Sequence, residues 1–346
     1  MNSGPRKRPS MIDVGRRAEV SAQTVSRYFN GGYVSTESRS RIEAAVSDLG
    51  YRQNRLPRQL RGDRTESIGF LSLGPINYGN ASILMGLNHA ARAHSQTLVT
   101  SHFEPDPDDP GVQAELFRDI DRLLSMRVDG LVIATPFVGG EALVDYVKDA
   151  VPVILLSEGG EGDAPTVHSR SYAAARLAVR HLIELGHRDI LHIAGPANRN
   201  ESRTRRRAYQ DELASSGLAP LPILECAEWD AASGAACAET IDPAQFTAVF
   251  AANDEIALGF SSVLHARGFT APRDFSIVGF DDMPEARYFT PPLTSSRIDF
   301  EQIGEAALLT VLSLVRGEAP RPNYSIEPSL IVRESTAPPS SASTKP

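Results

Sequence analysis

From Ile68 to Phe280 one pattern recurs: a short apolar run, then a longer amphipathic stretch. The spacing predicts strands over Ile68–Leu73, Thr97–Phe103, Gly130–Ala134 and Val153–Leu156, with helices over Ser82–Ser95, Glu115–Met126 and Glu141–Asp149. Runs of Val, Ile and Leu without polar alternation are strands buried on both faces. Helices between them make βαβ units of parallel sheet. The pattern then resumes, with helices over 173–185, 201–215, 233–240 and 255–267 and strands over 190–194, 223–225, 249–252 and 276–280. A helix over 304–316 and a strand over 326–332 close the fold. Two doubly wound sheets in tandem leave a ligand cleft at the carboxyl ends of their strands.

A chain of 346 residues exceeds one ordinary domain, and 41% hydrophobic with 23% charged residues is a soluble globular composition. No apolar run is long enough to span a membrane. Residues 1–10 are basic, without an apolar segment behind them, and so are expected to be a disordered arm rather than a secretory signal. Two Cys without metal-ligand spacing suggest reduced thiols in a cytoplasm. The net charge of −8 divides unevenly. Residues 1–66 hold thirteen Lys or Arg against seven Asp or Glu, a net +6, which leaves −14 on the rest. A basic module on an acidic body suits attraction to phosphate at one end of the molecule.

Within that module the pattern predicts three helices, Met11–Ala18, Ser21–Asn30 and Ser35–Leu49. Ser21 is a good N-cap. Val25 and Phe29 share one face, and Gln23 and Arg27 share another. Gln can bond adenine, and Arg guanine, in the major groove.

Ile12-Asp13-Val14, Ala18, Val20-Ser21, Thr24-Val25-Ser26-Arg27, Asn30-Gly31, Val34-Ser35-Thr36, Arg39 and Leu49-Gly50-Tyr51 resemble the headpiece of the LacI/GalR family of bacterial transcription regulators. The resemblance implies a homodimer on double-stranded, pseudo-palindromic operator DNA, released by a small-molecule effector. It places base reading on Ala22, Gln23 and Arg27, and phosphate contact or capping on Thr24, Ser26, Asn30, Ser35 and Thr36. Residues 11–52 are then the helix-turn-helix domain, and 53–65 the hinge helix and linker. In the hinge, Asn54 and Arg55 meet DNA and Leu60 wedges into the minor groove. Three residues depart from the pattern. Glu19 stands where Gly is usual, at a cost of roughly 1 kcal/mol if φ is positive. Gly15 replaces Ala at a similar cost of about 1 kcal/mol, and Pro57 replaces Ala in the hinge.

The same resemblance extends over Leu185-Gly186-His187, Ile193-Ala194-Gly195-Pro196, Ala252-Asn253-Asp254 and Ser276–Asp282. It implies a periplasmic-binding-protein-like effector domain at 66–335. Lobe 1 comprises about 66–166 and 298–326, and lobe 2 about 167–297 and 327–335. Arg203, Trp229, Asn253, Asp281 and Phe300 are carried over as effector-binding residues. Ser157 joins them, standing where many sugar-responsive relatives place Asp. Directional Asp, Asn and Arg bonds with an aromatic face suit a sugar, and a β-galactoside or β-glucoside is the ligand expected first. A degenerate pocket or a nucleobase effector is the alternative. Arg170-Ser171 replaces a common Asp-Asn pair, so the pocket is expected to be altered. Residues 336–346, rich in Ser, Thr and Pro, are expected to be a disordered tail without a tetramerisation zipper.

No Gly-x-Ser-x-Gly elbow, P-loop or His/Cys metal spacing occurs, so neither catalysis nor a cofactor or metal is expected. The function expected is a cytoplasmic, DNA-binding repressor of carbohydrate-utilisation genes.

Overall fold

The computed structural model describes residues 9–29, 31–52, 64–104, 111–137, 140–158, 166–167, 169–318 and 326–340. The chain forms two compact units, Met1–Thr65 and Glu66–Pro346.

The first unit holds α1 (Met11–Ala18), α2 (Ala22–Phe29) and α3 (Thr36–Leu49). Each helix start is set by a local hydroxyl. Ser10 and Asp13 form a reciprocal capping box on α1, so Ser10 does not belong to the expected arm, whose residues 1–8 lie outside the described residues. Ser21 Oγ accepts from the Thr24 N–H at 3.0 Å, and Ser35 Oγ accepts from the Ser38 N–H at 3.3 Å. Val14, Ala18, Val25, Ile42 and Ala45 fall on the inner faces and bury one core with Val34 and Tyr51. Glu19 does take the left-handed conformation, φ 53°. Gly15 has a reason that the helix propensity scale misses. A Cβ there would lie 2.8 Å from the Val20 carbonyl oxygen, so glycine lets the turn close against α1.

The second unit has two sheets. In lobe 1, β1 (Ser67–Leu73), β2 (Thr97–Phe103), β3 (Gly130–Ala134), β4 (Val153–Leu156) and β5 (Thr166–Val167) lie in the order β2-β1-β3-β4-β5, all parallel. Their crossovers are α4 (Tyr78–Ala93), α5 (Val112–Ser125) and α6 (Glu141–Val147). In lobe 2, β6 (Ile190–Ala194), β7 (Leu224–Glu225), β8 (Ala248–Ala251), β9 (Ser276–Asp281), β10 (Thr294–Arg297) and β11 (Ser329–Ile331) lie in the order β11-β10-β9-β8-β6-β7. Only β11 is antiparallel to its neighbour. Lobe 2 carries α7 (Ser171–Glu184), α8 (Asn200–Ser215), α9 (Ala231–Thr240) and α10 (Asp254–Ala266). After β10 the chain returns to lobe 1, where α11 (Phe300–Val315) packs on α4, before β11 crosses back. Apolar clusters fill both faces of each sheet, as the unbroken Val/Ile/Leu runs require.

Three features differ from expectation. The first lobe's helix α4 starts at Tyr78 rather than Ser82, because Asn77 Oδ1 accepts from the Asn80 N–H at 3.0 Å. Thr294-Ser295-Ser296 forms a fully buried strand although it is polar. Its hydroxyls are satisfied internally, for example Ser295 Oγ on Asp254 Oδ1 at 2.6 Å and Ser296 Oγ on the Ala174 carbonyl at 2.9 Å. The tail residues nearest lobe 2 are also held. The Ala337 N–H donates to Ser276 Oγ at 2.9 Å, and the Thr336 hydroxyl lies 3.0 Å from His181 Nε2.

Candidate functional site

In the first unit, α2 turns Val25 fully inward and leaves Gln23 and Arg27 exposed, with Ala22 and Ser26 half-buried. The Thr24 hydroxyl lies 2.9 Å from that of Ser21, and Ser35 caps α3, so both hold helix starts. Gln23 and Arg27 are therefore the long polar side chains that α2 offers outward. Asn30, Asn54, Arg55, Pro57 and Leu60 lie outside the described residues.

In the second unit a cleft, partly open to solvent, lies where the strands of both sheets end. Ser157 and Glu158 follow β4, Arg199, Glu201 and Arg205 lead into and along α8, Trp229 follows β7, Asn253 follows β8, and Asp281 ends β9. Phe300 opens α11 and enters from lobe 1, its ring 6.1 Å from Tyr78 at 81°. Five of the six expected effector residues are thus brought together: Ser157, Trp229, Asn253, Asp281 and Phe300.

Arg203 is not among them. It is exposed on α8 and does not line the cleft. The buried stripe of that helix runs Ser202, Arg205, Ala208 and Tyr209, Glu212 and Leu213. Three- and four-residue steps from Ser202 reach Arg205 and miss Arg203. Arg205 is the arginine inside. Its Nη1 donates to the Ala252 carbonyl at 2.5 Å, and its Nη2 lies 3.5 Å from Asp281 Oδ1. Its guanidinium carbon stands 3.7 Å from the Phe280 ring centroid and 5.2 Å from that of Trp229.

The other cleft residues fix one another. Asn253 caps α10, accepting from the Ile256 N–H at 2.8 Å, and donates to the Trp229 carbonyl at 2.9 Å. Gly195 lies under Trp229, where a Cβ would fall 2.4 Å from the indole. Asp281 has φ 101°, a strained left-handed backbone at the strand end. Burial pushes its carboxyl up to about 7, against the pull of Arg205.

Sequence reasoning missed Arg199, Glu201, Arg205 and Glu158. Burial raises Glu158, which accepts from Ser171 Oγ at 2.8 Å. Burial, and Glu158 beside it, push Glu201 up to about 7. Asn200 bridges the lobes. Its N–H donates to the Pro136 carbonyl at 2.7 Å, and its Nδ2 to the Phe137 carbonyl at 2.9 Å and to Ser157 Oγ at 3.3 Å. The position of Glu158 just past a buried strand was the available signal for that residue. Among the described residues, no helix is long and apolar enough to cross a membrane, and no group of His, Cys, Asp and Glu could hold a metal.

Comparison with known proteins matches two separate parts of the chain. The profile of bacterial regulatory proteins of the lacI family matches residues 10–54, and that of the periplasmic binding protein-like domain matches 179–336. The lactose operon repressor of Escherichia coli (strain K12) is 30% identical over 97% of this chain and 93% of its own. The chain belongs to the lacI family. The ribose operon repressor of the same strain is 28% identical over 78% of this chain and 82% of its own. The transcriptional repressor PurR of Haemophilus influenzae (strain PittEE) is 27% identical over 77% and 79%. The lac repressor dimer bound to operator and the anti-inducer ONPF superposes with a TM-score of 0.85 at 30% identity, covering 96% of this chain and 100% of that one. The regulator CelR in complex with cellobiose matches with a TM-score of 0.69 at 27% identity, over 95% and 100%. This lacI-family chain is a DNA-binding transcription regulator and not an enzyme.

Proposed function

We propose that this lacI-family regulator is a cytoplasmic homodimer that represses carbohydrate-utilisation genes and leaves a palindromic operator when a sugar closes its cleft. The observation that carries the reading is the convergence of Asp281, Asn253, Arg205 and Trp229 at the strand ends. A carboxylate, an amide and a guanidinium give directional bonds to hydroxyls, and an indole gives a face for the C–H side of a pyranose. On the DNA side, Gln23 and Arg27 suit adenine and guanine edges, and Leu60 a minor-groove step. Ligand can shift the operator equilibrium only through a difference in affinity between open and closed lobes. The lac repressor seen as a dimer on operator, and CelR seen with cellobiose, support both halves of the reading.

Selection from random duplexes would supply the operator. Fluorescence anisotropy would then follow its release by β-galactosides, β-glucosides and other sugars, beside thermal shift. A ligand at about a hundredfold its Kd stabilises by about 2.7 kcal/mol, a shift of several degrees. Failure to enrich any duplex would overturn the DNA half. Enrichment without release or stabilisation by any sugar would overturn the effector half.

A further inference from the structure

Among the described residues six buried side-chain nitrogen or oxygen atoms lack a hydrogen-bond partner, and four of them belong to residues lining the cleft. These are Arg199 Nε and Nη1, Arg205 Nε and Glu201 Oε2. Three guanidinium nitrogens against one carboxyl oxygen make the unpartnered atoms mostly donors, although Glu158, Glu201 and Asp281 also line the cleft. Buried polar groups are normally satisfied, so the occupant should bring acceptors. Arg205 already has Asp281 at 3.5 Å and the Ala252 carbonyl. Arg199 has no ion-pair partner among the described residues. It is only 7% exposed. Its guanidinium lies 4.3 Å over the Phe137 ring, and Gly74 leaves room beside Nη1, since a Cβ there would lie 3.3 Å away.

Arg199 is also the N-cap residue of α8, a helix of 16 residues, and no side-chain cap occupies that end. The positive end of the helix dipole therefore adds to the guanidinium. A buried, unpaired cation is costly unless an anion joins it. Neutral hydroxyls can accept singly, but a carboxylate or phosphate can take a guanidinium two bonds at a time.

We propose that the effector is a polyol bearing one anionic group, a carboxylate or a phosphate, and that Arg199 takes that group. This rests on the reading of the cleft as the effector site. Asp281, Asn253 and Trp229 hold the hydroxylated part. Glu201, two residues along, has a carboxyl pushed up to about 7 and donates to the anion when protonated.

The test is a panel in thermal shift and operator release: glucuronate, gluconate and glucose 6-phosphate against glucose, galactose and glucosamine. An acid member is expected to bind at least about tenfold more tightly than its neutral parent. Glucuronate against glucose 6-phosphate separates the carboxylate from the phosphate. Arg199→Gln should weaken the acid by about tenfold or more and neutral sugars much less, and Arg199→Lys should recover part of the loss for the acid. The wild-type selectivity stands whether or not the variants fold. Equal binding of acids and neutral sugars would overturn the proposal and keep the cleft reading. So would preference for glucosamine, which would turn the cleft to Glu158 and Glu201, or an equal loss for both classes in Arg199→Gln. No response to any member would overturn the cleft reading as well.

Discussion

The Asn253 amide donates to the Trp229 carbonyl at 2.9 Å while its oxygen caps α10. One side chain thus starts a helix of lobe 2 and holds the loop that carries the cleft's indole. Asn253→Ser keeps a capping oxygen and loses the donor to Trp229. The variant should melt close to the parent yet bind effector about tenfold more weakly. Asn253→Ala should also lose about 1 kcal/mol of stability with the cap. Urea denaturation and ligand titration separate the two effects, and undiminished affinity in Asn253→Ser would sink the holding role.

Gly195 should tolerate no side chain. Its added Cβ would fall 2.4 Å from the indole of Trp229. Gly195→Ala should cost about 1–3 kcal/mol through overpacking, displace the ring and abolish the effector response. Operator binding should persist. Trp229 is the only tryptophan, so intrinsic fluorescence reads the displacement directly. An unchanged emission spectrum with normal induction would refute this packing.

Glu201 and Asp281 give the unliganded protein a pH dependence of known sign. Both carboxyls are raised to about 7 in the fold. The unfolded values are about 4. The folded state then binds more protons between those limits, so this stability is full in acid and is lost as pH rises to about 7. Burial holds His181 and His187 below their ordinary value and His192 at about 4, which pushes the other way below about 6.5. Around Glu201 stand Glu158, Arg199 and Arg205, and Glu255 adds to the rise at Asp281. Urea midpoints at about pH 6 and about pH 8 should fall less in Glu201→Gln than in the parent. Parallel slopes would refute the assignment.

Asp282 holds β10 to the segment that follows β11. Its Oδ2 accepts from Arg297 Nε at 2.7 Å and its Oδ1 from Arg333 Nη2 at 2.6 Å. The carboxylate is almost wholly buried, so Asp282→Asn leaves two arginines without their anion. A loss of about 3 kcal/mol is expected, since breaking a buried pair strands the remaining charge. Chemical denaturation checks it, and a change within experimental error would show that water replaces the pair.

The sequence made the alternating architecture readable because buried parallel strands need unbroken apolar runs, and Ile68–Leu73 or Val153–Leu156 supply them. It hid β10 because Thr294-Ser295-Ser296 earns its burial through hydroxyl partners distant in the chain, Asp254 and Ala174 among them. The cleft was legible where a site residue directly follows or ends a strand, as Asn253 and Asp281 do. Within α8 a shift of two positions separates Arg203 in solvent from Arg205 in the cleft, and only the helix register resolves it. Gly15 read as a weak point of α1 because the approach of the Val20 carbonyl is a tertiary fact.

The bonds from Asn200 to Pro136, Phe137 and Ser157 have a kinetic consequence. They join lobe 2 to lobe 1 beside the cleft, and a ligand that enters by lobe opening waits for this clasp to release. Its arrival should be gated by a thermally activated opening rather than by diffusion alone. In stopped-flow measurements of Trp229 emission the observed rate should level off at high ligand concentration, and Asn200→Ala should raise that plateau. A rate that climbs linearly throughout would mean the clasp does not gate. Residence time, more than occupancy, would then be the property that this one asparagine sets.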